Sequence, residues 1–173
     1  PLQMRTPQAQ RSTSPKKNLN DLKNSKCWIP TGDLVGESYL KNMGVTPIQL
    51  SIPDVLSSLQ TGLVDTVFNS PYGAIVLQWF TKANNITTTP YGYSYGGFIL
   101  DKKMFGRLPE PYKQIIHSAA ESHFSILLEQ TRKSNEDSLK VLKENGITFV
   151  KADESEMEEL YKLNPNKGVA TNA

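Results

Sequence analysis

The sequence predicts an α/β fold with a mainly parallel sheet. Three observations carry this: a strand, a short loop and a helix recur three times between Lys26 and Ala83; prolines open and glycines close the helices; and the connections are only a few residues long. Strands alternating with helices in this way need right-handed crossovers, which leave the strands parallel. A chain of 173 residues can bury one ordinary core or build two small lobes.

Pro1 to Lys17 is polar, rich in Pro, Gln, Ser and basic residues, and keeps no period of 2 or 3.6. Residues 1–15 therefore read as a linker or an orphaned remnant. "NLNDLKNSK" offers one helical turn, and "KCWIP" reads as a strand stopped by Pro30. "TGDLVGESYLKNMG" follows as a helix, with Thr31 or Asp33 able to cap it and Gly44 to end it. The second unit is "TPIQLSI" and "PDVLSSLQTG", with Pro53 in the first turn and Gly62 at the stop. The third is "LVDTVFN" and "PYGAIVLQWFTKA", opened by Pro71.

After Ala83, "NNITTTPYGYSYGGFILDKK" is β-prone and reads as two short strands or as a strand and a loop. Leu108 to Gly146 then keeps a broadly helical spacing through Ile115, Ala119, Phe124, Leu127, Leu128, Leu139 and Leu142. A helix or kinked pair this long exceeds what one small body needs, so it is expected to brace more than one. "ITFVKADESEMEELYKL" adds a short strand and an acidic helix, and the tail 164–173 reads as disordered. The expected organisation is thus 1–15, an α/β lobe over 16–106, a bracing unit over 107–163, and the tail.

Composition excludes several classes. Nineteen basic against 17 acidic residues give a formal charge of +2, too balanced for a nucleic-acid binder. The early basic residues, Arg5 to Lys26, have no interleaved aromatics and read as a solvated segment. Cys27 is the only cysteine, which rules out an internal disulfide and leaves the compartment open. No run approaches the roughly 20 apolar residues of a membrane-spanning helix. The chain begins "PLQMRTPQAQ", without an initiator Met or a secretory pattern, and is expected to lack an upstream part.

In a parallel α/β sheet, ligands gather at the carboxyl ends of the strands. That edge carries Trp28 to Asp33, Ser51 to Asp54, and Asn69 to Tyr72. Asn69 ends its strand where an amide can donate and accept to a ligand, although Asn before Ser-Pro is also ordinary turn chemistry. Trp28 can equally be core, its N–H meeting a carbonyl. Asp54 can cap a helix and Asp65 can tie down a turn. No Gly-x-Gly-x-x-Gly opens a helix, no phosphate loop occurs, and no Gly-x-Ser-x-Gly is present, so no cofactor is expected. His117 and His123 lie about 240° apart around one helix and cannot share a metal. A small enzyme would have to work through Asp33 and Asp54, the only titratable pair at the edge.

The stretch "PIQLSIPDVLSSLQTGLVDTVFNSP" resembles the signature region of the solute-binding subunits of tripartite ATP-independent periplasmic (TRAP) transporters, the DctP family. "KKNLNDLKNSKCWIP" is similar to that family's Asp-Leu-Lys-Gly-x-Lys approach to a strand. "GGFILDKKMFGRLPEPYKQIIHSAAE" is similar to its later strand and Leu-Pro helix start. The likeness covers roughly Ser14 to Leu163, the family's C-terminal half to two-thirds. It implies one lobe of a class II periplasmic binding protein, with most of the first lobe missing and a long helix spanning both. It further implies a periplasmic, non-enzymatic receptor that binds a small organic acid such as a dicarboxylate, hands it to TRAP membrane subunits under an ion gradient, and carries a signal peptide in its precursor. No nucleic acid is involved.

The resemblance maps Asn69 onto a ligand-contacting Asn and Ile52 onto a pocket-lining position. Trp28 falls where the family carries an arginine that clamps a carboxylate, and an indole cannot reproduce those two parallel hydrogen bonds. The anchor must then come from elsewhere, or the solute is less acidic. Arg11 lies near another family arginine, out of register with it. Trp28, Ile52 and Asn69 are nonetheless expected to line this lobe's share of the cleft, with Thr31, Ser70, Tyr72 and Tyr95 as second contacts at the same edge. The rival readings are the Asp33/Asp54 enzyme and an interaction module whose cleft no longer binds.

Overall fold

The computed structural model describes residues 3–153. Its elements in chain order are β1 (Gln3–Ser12), α1 (Leu19–Lys23), β2 (Trp28–Pro30), α2 (Leu34–Asn42), β3 (Ile48–Leu50), α3 (Val55–Thr61), β4 (Thr66–Asn69), α4 (Pro71–Val76), β5 (Asn85–Gly97), α5 (Lys102–Arg107), α6 (Glu110–Glu144) and β6 (Thr148–Val150). The fold is α/β with a mostly parallel sheet and a long helix. β2 pairs in parallel with β3, and a parallel bridge from Cys27 to Thr66 joins β2 to β4. The other ladder runs β4-β1-β5-β6, antiparallel on both sides of β1 and parallel from β5 to β6. One strand out of six therefore runs against the rest.

That strand corrects the linker expected over residues 1–15. β1 lies between β4 and β5, pairing Ala9 to Ser12 with Asn69 to Thr66 and its whole length with β5. Backbone pairing on two sides, not an apolar pattern, defines it, and it buries Arg11 and Ser12. Pro7 falls where β1 has only one neighbour, so its missing amide hydrogen breaks no second ladder. The lobe boundary expected at residue 16 thus falls beyond a strand of the same sheet.

β2 shows how period-2 alternation builds the core on both faces. Cys27 and Ile29 point to one side, with Leu22, Tyr39, Leu40, Met43 and Val45. Trp28 points to the other, with Val55, Leu59, Val64, Val67, Trp79 and Ala83. A third cluster joins Ile86 of β5 to Leu142 and Ile147. Cys27 is fully buried, and burial, reinforced by Asp65, pushes its thiol up to about 12.

Helix punctuation follows the sequence closely. Asp33, not Thr31, caps α2 by accepting from the Gly36 amide at 2.9 Å. Gly62 ends α3 at φ 73°, a left-handed conformation that glycine adopts without a Cβ penalty. α4 is shorter than the sequence predicts: Gln78 turns to φ 58° and a 3-10 turn follows at Trp79–Thr81, which sets Trp79 in the core. Asn85 to Gly97 is a single strand followed by a loop, the second of the two forms expected. α6, about 50 Å long at 1.5 Å per residue, buries only Asn135, Ser138 and Leu142, all in its C-terminal third. The acidic helix and tail expected beyond residue 153 lie outside the described residues.

Candidate functional site

Three parallel strands end side by side, in the order β3-β2-β4, and their carboxyl ends form one edge about 10 Å across at the usual strand spacing. Thr31 leaves β2 exposed to solvent. Ile52, 48% exposed, opens a 3-10 turn after β3, and Asn69, Ser70 and Tyr72 continue from β4. Five of the seven residues expected at the site therefore follow neighbouring strand ends.

Trp28 does not share that exposure. It is buried, its Nε1 donates to the Leu50 carbonyl at 3.0 Å, and its ring meets Trp79 edge to face at 5.1 Å. The indole's only donor is thus occupied, and the ring backs the edge from beneath. Tyr95 lies elsewhere. Asn69 is level with Ala9, and Ala9 with Pro90, so Tyr95 stands five residues farther along a two-stranded ribbon of β1 and β5 that continues past the edge. Its side chain lies outside the described residues.

The start of α4 is the most constrained part of the edge. The half-buried Asn69 accepts from the Ser70 amide through Oδ1 at 2.8 Å. Ser70 Oγ accepts from the Gly73 amide at 3.0 Å. Asn135, reaching across from α6, accepts from the Tyr72 amide at 3.2 Å. Pro71 has no amide hydrogen, so these three side chains satisfy the donors that a helix start leaves open. With its oxygen engaged, the hydrogen-bonding capacity left to Asn69 is that of its Nδ2 hydrogens, which pair with acceptors. Tyr72, three residues on, is 53% exposed.

Sequence reasoning set aside one feature that the structure brings forward. Arg11 is fully buried and its Nε, Nη1 and Nη2 have no hydrogen-bond partner among the described residues. It shares a sheet face with its cross-strand partners Val67 and Ile86, which are also buried. Burial alone pulls the guanidinium down to about 10. Along the ladder Arg11 pairs with Val67, two residues before Asn69 on β4. A polar residue inside a segment without periodicity gives no sequence signal for this.

The other candidate side chains have structural partners. Asp33 is engaged as the α2 cap, and the Asp54 carboxylate accepts from Ser51 Oγ. His117 stacks edge-on against Phe105 at 5.7 Å. Among the described residues no cluster of His, Cys, Asp and Glu could hold a metal, and no helix is long and apolar enough to cross a membrane. A shallow depression of about 290 Å³ is walled by α6 alone, from Ser125 to Glu136, and contains no residue of the edge.

Comparison with known proteins bears on this geometry. Residues 6–166 match DctP, the bacterial extracellular solute-binding protein family 7. The ectoine-binding periplasmic protein TeaA of Halomonas elongata is 28% identical over 131 residues, which cover 76% of this chain and 37% of TeaA. The C4-dicarboxylate-binding periplasmic protein DctP of Rhodobacter capsulatus is 23% identical over 112 residues, or 65% of this chain and 34% of that protein. A TRAP periplasmic solute-binding protein from Desulfovibrio salexigens, solved with bound orotic acid, superposes with a TM-score of 0.82 at 17% identity, over 93% of this chain and 52% of that one. The chain thus spans from about a third to about half the length of these proteins.

Proposed function

Because the chain belongs to the bacterial extracellular solute-binding proteins of family 7, we propose that it forms the C-terminal lobe of a TRAP transporter's solute receptor. It holds a small organic acid, or a related solute with a strong acceptor, at the carboxyl edge of its sheet. It works in the periplasm, passes the solute to membrane subunits, and catalyses no reaction.

The observation that carries this reading is the orientation of Asn69. Its Oδ1 is held by the Ser70 amide, which leaves its Nδ2 hydrogens as the donors it would offer a solute, at the same strand-end edge that carries the exposed Ile52 and Tyr72. Thr31 and Ser70 complete the rim, and Trp28 supports it from the core. Arg11 takes over the electrostatic part that an arginine at position 28 would otherwise play.

The test is calorimetric titration of the 173-residue chain with orotate, succinate and ectoine, solutes that the named relatives point to, in parallel with Asn69→Ala. Binding of at least one by the parent, weakened about tenfold or more in the variant, is the expected outcome. Equal binding by both proteins, or binding of none of the three, would overturn the proposal.

A further inference from the structure

α4 contains a glycine that its backbone does not require. Gly73 is absent from the residues at positive φ and lies in ordinary helix, where alanine is the better helix former. Its environment accounts for it. A Cβ built there would lie 2.5 Å from Asn69 Oδ1 and 2.8 Å from both Asn69 Cγ and Nδ2, and its three nearest neighbours all belong to that one amide. The side chain of Asn69 lies against the bare face of α4 at Gly73, four residues on.

We infer that Gly73 is a positioning residue: its missing Cβ is the seat that holds Asn69 with its oxygen on Ser70 and its nitrogen toward the solute. A methyl group would meet only the far end of a flexible side chain, so the fold gives way there at little expense. The Asn69 amide then swings out, Ser70 loses its acceptor, and the donor at the edge is misaimed. A glycine kept for backbone conformation or for helix packing would behave differently, because its loss would strain the main chain or separate α4 from α6. The inference rests on the reading of Asn69 as a solute contact, and the experiment separates the two.

Gly73→Ala and Asn69→Ala are compared with the parent chain in three measurements. The melting temperature of Gly73→Ala is expected to match or exceed that of the parent. Amide exchange at Ser70, followed by NMR, is expected to quicken about tenfold in both variants, the worth of one lost hydrogen bond. Affinity for whichever of orotate, succinate or ectoine the parent binds is expected to fall about tenfold in Gly73→Ala. A drop in melting temperature of more than about 4 °C with Ser70 exchange unchanged would overturn the inference and assign Gly73 to packing. So would faster exchange with undiminished affinity, since the seat would then be irrelevant to binding. If the parent binds none of the probes, the receptor reading fails, while the exchange rates still decide whether the seat exists.

Discussion

Replacing Arg11 by methionine should make the protein more stable. Methionine follows the path of the arginine stem, adapts to irregular space and carries no charge. The folded state buries a guanidinium that has no hydrogen-bond partner among the described residues, on a strand flanked by Val67 and Ile86, and burial pulls it down to about 10. Measured from the ordinary arginine value, at about 1.4 kcal/mol for each tenfold change, keeping that charge inside costs about 3 kcal/mol. The smaller methionine leaves a gap that takes back about 1 kcal/mol. The net gain should be about 2 kcal/mol at neutral pH, or roughly 4–8 °C in melting temperature.

The pH dependence follows from linkage. A base whose folded-state value is depressed binds fewer protons folded than unfolded, so stability rises with pH across that interval. The penalty is therefore complete below about pH 10 and eases as pH rises through that value, so the margin of Arg11→Met over the parent should begin to narrow there. Urea denaturation followed by circular dichroism at pH 7 and pH 10.5 reads both effects. A variant less stable than the parent by more than about 1 kcal/mol at pH 7 would refute the argument, because it would mean that Arg11 has a partner in the folded protein. With orotate present, the parent should gain more than the variant, since the ligand's charge offsets the cost of the buried guanidinium.

Two further outcomes follow from the same geometry. Trp28→Phe removes the bond to the Leu50 carbonyl and the indole edge on Trp79; urea denaturation should show a loss of about 1–3 kcal/mol, with solute affinity within about twofold of the parent if the ring only backs the edge. Asp33→Ala removes the α2 cap and should cost about 1 kcal/mol by the same measurement, whereas turnover of any substrate abolished by this change would revive an enzymatic role.

The repeated strand and helix units were legible because each is local: proline at the first turn, glycine at the last, and the Cys27-Trp28-Ile29 alternation that faces two cores. β1 was not, because nothing within Gln3 to Ser12 marks a strand; its definition comes from β4 and β5, which lie more than 50 residues away in the sequence. The same distinction runs through the site. Thr31, Ile52, Asn69, Ser70 and Tyr72 could be placed by counting to strand ends. Tyr95 could not, since only the register through β1 reveals how far β5 overshoots the edge. Arg11, Gly73 and Asn135 act across elements, and a single sequence carries no trace of what faces them. Trp28 was expected to line the cleft from its place at a strand end; the structure instead buries its ring and engages its N–H within the core, because its two apolar faces pack under the sheet.

The sealed thiol of Cys27 has a practical consequence. A thiol that burial holds near 12, with no exposed surface, offers almost no thiolate to a maleimide while the chain stays folded. The protein is therefore silent toward such dyes without any engineering to remove its own cysteine. A single Thr31→Cys change would place the sole reactive handle at the rim of the strand ends, where an environment-sensitive fluorophore would dim or brighten as a small molecule arrived. The molecule could then report optically on its own occupancy, and a library of metabolites could be screened in a plate reader.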